Sequence, residues 1–150
     1  MNSKDKLSMS IGFTYSYTGY IDKIIRHIER IQLCDEELWS IFVNQFREHR
    51  DDCDKGWRGE YWGKMMRGAS ITYRYTKNRK LYDILEKTVR DLLVSSDEEG
   101  RLSAYSKSEE FQGWDLWGRK YVFLGLQYFC EICKDKMLVE EVTSFIRVQF

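Results

Sequence analysis

No proline occurs anywhere in the 150-residue chain. Average usage of about 5% would supply roughly seven. Proline costs about 3 kcal/mol in a helix interior, so its absence suits a chain that is helical almost throughout. The expected fold class is therefore all-α. Aromatic residues reach 15%, with 5 Trp and 10 Tyr. Such a surplus fits either a thick core or a cleft lined with rings, and composition does not choose between them.

Apolar spacing divides the chain into six helices. Ile21, Ile24, Ile25, Ile28 and Ile31 recur at helical intervals among charges, which predicts an amphipathic helix over 20–34. Asp35 is a natural cap for a second helix, with Glu36 and Glu37 in its first turn and Leu38, Trp39, Phe42, Val43 and Phe46 on its apolar face. A third helix is predicted over 60–75, with Tyr61, Met65, Met66, Ala69 and Tyr73 inward. Asn78 caps a fourth that ends near Val94, and a fifth and a sixth are predicted over 115–133 and from Lys136 onward. Gly56 opens the loop before the third helix. Asp97-Glu98-Glu99-Gly100 has type I turn chemistry and starts the longest aperiodic stretch, 101–113. Loops of this length in compact domains are frequently binding elements. Short and long connections alternate, so the helices read as three αα-hairpins after an irregular segment at 1–19.

The 24 basic and 24 acidic side chains cancel. No cationic excess is available to neutralise phosphates, so no nucleic-acid partner is expected, and the basic run Arg74–Lys80 reads as dipole partners at a helix end. No apolar run approaches a membrane span, and Met1–Ser10 lacks a signal-peptide core; a cytoplasmic protein with no membrane partner is expected. Cys130 and Cys133 form a CxxC inside a continuous helical pattern, with no second ligand pair nearby. They read as buried structural thiols, and no metal ligands are assigned. His27 and His49 stand on polar stretches without metal spacing.

One short signature occurs twice. Glu60-Tyr61-Trp62-Gly63-Lys64 matches Asp115-Leu116-Trp117-Gly118-Arg119, an acid-x-Trp-Gly-base pattern that opens a helix after a long loop in both copies. Repeated hairpins of this kind point to a solenoid or a closed α/α toroid. Two readings of the signature stay open. In one, the acids complement helix dipoles, the glycines allow close packing and the Trp residues are core. In the other, the helix starts gather at one end and form a carbohydrate cleft. There Trp62, Tyr105, Trp114 and Trp117 would cover sugar faces, and Glu60, Asp115 and Arg119 would bond hydroxyl groups. Paired carboxylates also suit glycoside hydrolysis, although capping or positioning fits Glu60 and Asp115 better, and no catalytic residue is assigned.

The stretch from Trp57 to about Asp135 resembles the N-terminal half of the β-L-arabinofuranosidase-type catalytic domain, glycoside hydrolase family 127. The similarity is carried by Gly59–Lys64, the hairpin from Tyr73 to Leu93, Asp97–Tyr105 and Gly113–Tyr121. It implies an (α/α)6 toroid that removes terminal arabinofuranose or related sugars. It also implies a zinc-held cysteine nucleophile and a glutamate acid/base in the later half of the ring, with ligands beyond residue 150. Where family members often place a His-Glu pair after the fifth-helix aspartate, this chain has Trp117-Gly118-Arg119, which fits a branch acting on another glycoside.

Two functions follow as expectations. The first is an N-terminal part of a glycoside hydrolase, residues 1–150 forming a partial toroid domain that lines a sugar cleft and is inactive alone. Its apolar ending, Ser144–Phe150, would drive self-association. The second is a stand-alone helical-repeat module that binds a glycan or protein without chemistry.

Overall fold

The computed structural model describes residues 16–54 and 59–149. Most of the irregular segment expected at 1–19 lies outside these residues, as do Gly56, Trp57 and Phe150. The described residues form an all-α protein: α1 (Tyr20–Ile28), α2 (Glu36–Arg47), α3 (Gly59–Thr76), α4 (Arg79–Leu93), α5 (Asp115–Cys130) and α6 (Lys136–Val148). None of these helices is long and apolar enough to cross a membrane.

Local chemistry sets most of the boundaries. The side chains of Asp35, Asn78 and Asp135 accept hydrogen bonds from the backbone N–H groups of Leu38, Lys80 and Met137, satisfying donors that the first helical turn leaves unpaired. The α3–α4 connection is only Lys77-Asn78, and Lys77 turns the chain at φ 56°.

The core runs through α2, α3 and α4. Trp62, Met66, Ala69 and Tyr73 make the buried stripe of α3, and Leu81, Leu85, Val89 and Leu92 that of α4. Trp39 and Trp62 meet edge to face at 6.3 Å between ring centroids. Tyr61, expected inward, is 42% exposed and lies against Phe42. It falls outside the stripe that starts at Trp62.

Helices α3 and α5 touch backbone to backbone. A methyl group built on Gly63 would lie 2.0 Å from the Tyr121 carbonyl oxygen. One built on Gly125 would lie 2.8 Å from the Gly63 carbonyl oxygen, and Gly118 faces Gly59. Contacts advance together along both chains, from Gly59 with Gly118 to Gly63 with Tyr121 and Val122, so the two helices run parallel. Only residues without a Cβ permit this approach.

The amphipathic helix expected over 20–34 forms as α1 followed by one π-helical turn, Glu29–Leu33. Its orientation differs from what an apolar stripe leads one to expect. Ile21, Ile24, Ile28 and Ile31 are 50%, 37%, 40% and 55% exposed. The helix is anchored instead through its acidic edge. Asp22 accepts a 2.7 Å bond from the Tyr75 hydroxyl, Glu29 accepts from Thr76, and Leu33 is buried.

Candidate functional site

The two copies of the repeated signature meet at the same end of the parallel pair α3 and α5. Gly59 opens α3, and its N–H donates at 2.8 Å to Asp51, a carboxylate supplied from eight residues earlier. Asp51 in turn donates its own N–H to the Ala104 carbonyl. The long loop after α4 is thereby held against both helix starts, with Leu102, Ser103, Ala104 and Tyr105 all buried. The Asp97–Gly100 turn forms as expected, its Gly100 N–H bonding the Asp97 carbonyl at 2.8 Å.

Asp115 is the hub of this end. It is 2% exposed and accepts from the Ser103 hydroxyl, the Phe111 N–H and both Nε and Nη2 of Arg119. Arg119 also reaches Glu110 at 2.6 Å. Burial opposes the charge on Arg119, but its bonds to Asp115 and then Glu110 outweigh that cost and hold the guanidinium above its ordinary range. Both carboxylate oxygens of Asp115 are thus engaged, by the loop and by Arg119, and Arg119 ties this pair to Glu110.

Tyr105 is likewise internal, its hydroxyl oxygen accepting from the Trp114 N–H at 3.1 Å. Trp62 is fully buried, and its indole N–H donates at 3.0 Å to Thr88. Trp62 and Tyr105 thus offer no face to a sugar, which corrects the cleft expected at both positions. The same ring position in the motif is buried in one copy and exposed in the other because α2 and α4 cover Trp62.

What remains accessible is an aromatic ladder on α5. Trp114 and Trp117 are 42% and 41% exposed. Their ring centroids lie 6.0 Å apart, and Trp117 meets Tyr121 at 5.3 Å, both edge to face. The Trp117 indole N–H donates to Glu60, a buried carboxylate that also holds Lys64 at 2.5 Å. Glu60 is thus the strut that fixes Trp117 across the α3–α5 seam. Cations line the ladder. The Lys120 ammonium lies 3.4 Å from the Trp117 centroid and 4.2 Å from that of Tyr121, and Lys64 lies 4.7 Å from Tyr121. Sequence reasoning missed Lys120 and Tyr121 as site residues. Their signal was the four-residue step from Trp117 to Tyr121, which stacks both rings on one helix face.

The thiols of Cys130 and Cys133 are half-buried. Burial, and secondarily the neighbouring Cys133, pushes Cys130 up to about 11, and burial also raises Cys133. Neither is a ready nucleophile at neutral pH. Among the described residues no three His, Cys, Asp or Glu side chains gather as a metal would require.

Compared with protein-family models, with curated proteins and with solved structures, the chain finds no match.

Proposed function

We propose that this chain supplies a carbohydrate-binding face within an α/α-hairpin ring, as in glycoside hydrolases of the β-L-arabinofuranosidase type, without contributing the catalytic carboxylates. The observation that carries the proposal is the parallel, glycine-mediated contact of α3 and α5, with both signature copies at one end and half-exposed Trp114 and Trp117 projecting there. In a ring of hairpins equivalent helices run parallel, and their starts open on one concave end. Indole faces there can cover the C–H face of a sugar, with Lys64 and Lys120 beside them for hydroxyl groups. Zinc-dependent chemistry, in this proposal, belongs to residues outside this chain.

The consumed bonds of Asp115, Arg119 and Glu60 favour a binding role over a catalytic one for this face. They also support the second reading, a glycan-binding module with no chemistry.

Calorimetric titration with a neutral arabinofuranosyl trisaccharide tests the shared core of both readings. Saturable binding is expected, and Trp117→Ala should abolish it while leaving the thermal melt within a few degrees of the parent. Absence of binding, or a Trp117→Ala loss of stability equal to that of Trp62→Ala, would refute a sugar face at this position.

A further inference from the structure

Beside the ladder, α3, α5 and α6 enclose an open groove of roughly 1020 Å³, lined by Arg67, Phe111, Leu116, Lys120, Tyr121 and Ile146 among others. Its walls are largely apolar, yet its lining includes Arg67, Arg119 and Lys120 and no carboxylate. Arg119 is neutralised by Asp115 and Glu110. Arg67 and Lys120 are different. Neither forms an ion pair among the described residues, and each lies instead on a ring, Arg67 at 5.4 Å from Tyr128 and Lys120 on Trp117 and Tyr121. In a chain whose charges cancel overall, thirteen ion pairs are formed among the described residues. Arg67 and Lys120 are thus two cations in the lining of one groove that are held on rings and form no ion pair among the described residues.

A second, independent observation concerns Phe111. It is 67% exposed at φ 63°, a left-handed conformation that a bulky side chain adopts only under constraint. The constraint is visible: its N–H is held at 2.9 Å by buried Asp115, and its ring lies over Arg119 at 5.4 Å. The Asp115 hub thus fixes an exposed aromatic ring at the groove's edge, against the preference of its own backbone.

We infer that this groove accepts an anionic sugar, a uronate-bearing glycan whose carboxylate is met by Lys120 and Arg67 and whose ring lies between Phe111 and Tyr121. The inference rests on the sugar-binding reading and narrows its substrate class. A carboxylate would supply the counter-charge that these cations lack, and charge-assisted bonds of this kind are stronger than neutral ones. Single-stranded nucleic acid fits less well, because it needs a cationic groove that tracks several phosphates, and among the described residues this lining offers two cations outside ion pairs, Arg67 and Lys120.

The test compares trigalacturonate with a neutral galactose trisaccharide on the whole chain by calorimetry, at low and at high salt. Trigalacturonate is expected to bind about tenfold tighter at low salt, the scale of one charge-assisted bond. That preference should shrink as salt rises, and Arg67→Gln should remove it while neutral-sugar binding persists. Equal binding of both trisaccharides overturns the inference and leaves the sugar face standing. Binding of neither overturns the inference, and the sugar face then stands or falls with the arabinofuranosyl titration. Displacement of trigalacturonate by an equimolar oligothymidylate overturns it in favour of a nucleic-acid groove.

Discussion

Replacing Gly63 with alanine tests the α3–α5 crossing on which the site depends. The new methyl would meet the Tyr121 carbonyl oxygen at 2.0 Å, its carbon at 2.2 Å and the Val122 nitrogen at 2.6 Å. Ordinary contact begins near 3.4 Å, so the helices must part by about 1.4 Å, the difference of 3.4 and 2.0. No side chain can swing aside, because every obstacle is backbone. Gaps of 0.5–1 Å already forfeit a quarter to a half of the dispersion well, and the loss extends along the seam to Met66, Val122 and Leu126. Overpacking usually costs 1–3 kcal/mol; here about 3–5 kcal/mol is expected, a large part of a typical domain's stability. With a urea slope of about 2 kcal/mol per molar, the midpoint followed by far-UV circular dichroism should fall by roughly 2 M. Gly68→Ala on the same helix is the control. A methyl there meets nothing within 4 Å, so helix propensity alone should raise stability by up to about 1 kcal/mol. A Gly63→Ala midpoint within about 0.3 M of the parent would show that the backbones do not touch, and the shared helix end would lose its basis.

Three further outcomes are expected. Asp115→Asn leaves buried Arg119 without its bidentate partner, so stability should drop by about 3 kcal/mol and amide exchange should accelerate at Phe111 and Trp114; unchanged exchange there would contradict the hub. At pH 8 a Cys130 thiol titrating near 11 is thiolate in roughly one molecule per thousand, so a disulfide reagent should label exposed Cys53 well before Cys130, as mass spectrometry of timed digests would reveal. The Asp135 carboxyl is held below its ordinary range, first by the Leu138 N–H and then by Arg90. Its contribution is full above the unfolded carboxylate pKa of about 4 and vanishes as pH falls through the lowered native value. Asp135→Asn should therefore flatten the acid limb of stability below about pH 4, and an unaltered limb would refute the assignment.

The helices were legible in the sequence because their signals are local. Asp35 and Asn78 cap the helices they precede with side-chain bonds spanning two or three residues, and the apolar stripe of α4 needs only its own periodicity. The site was legible in part. Trp114 and Trp117 are half-exposed, whereas Trp62 occupies an equivalent motif position and is enclosed. Its fate depends on α2 and α4, which no short pattern encodes. Asp51 serves α3 from beyond the helix's own start, and Asp115 bonds residues brought in by the loop, so both roles arise only on folding. The isoleucine stripe of α1 marks a helix correctly but not its orientation. Hydrogen bonds from Tyr75 and Thr76 decided that, and they lie on another helix.

The backbone contact between α3 and α5 has a consequence for recognition. Where two helices touch through glycines, no side chain stands between the backbones whose rotamer could let them slide or spread. Rings borne by one helix and cations borne by the other are then spaced by covalent geometry more than by packing. Little backbone ordering remains for such a surface to undergo when something settles on it, so the conformational entropy lost on association would fall on the ligand and on the long cationic side chains. Stiff ligands of matching spacing would be preferred over flexible ones of the same composition. Selectivity by shape would thus be established at folding, before any ligand arrives.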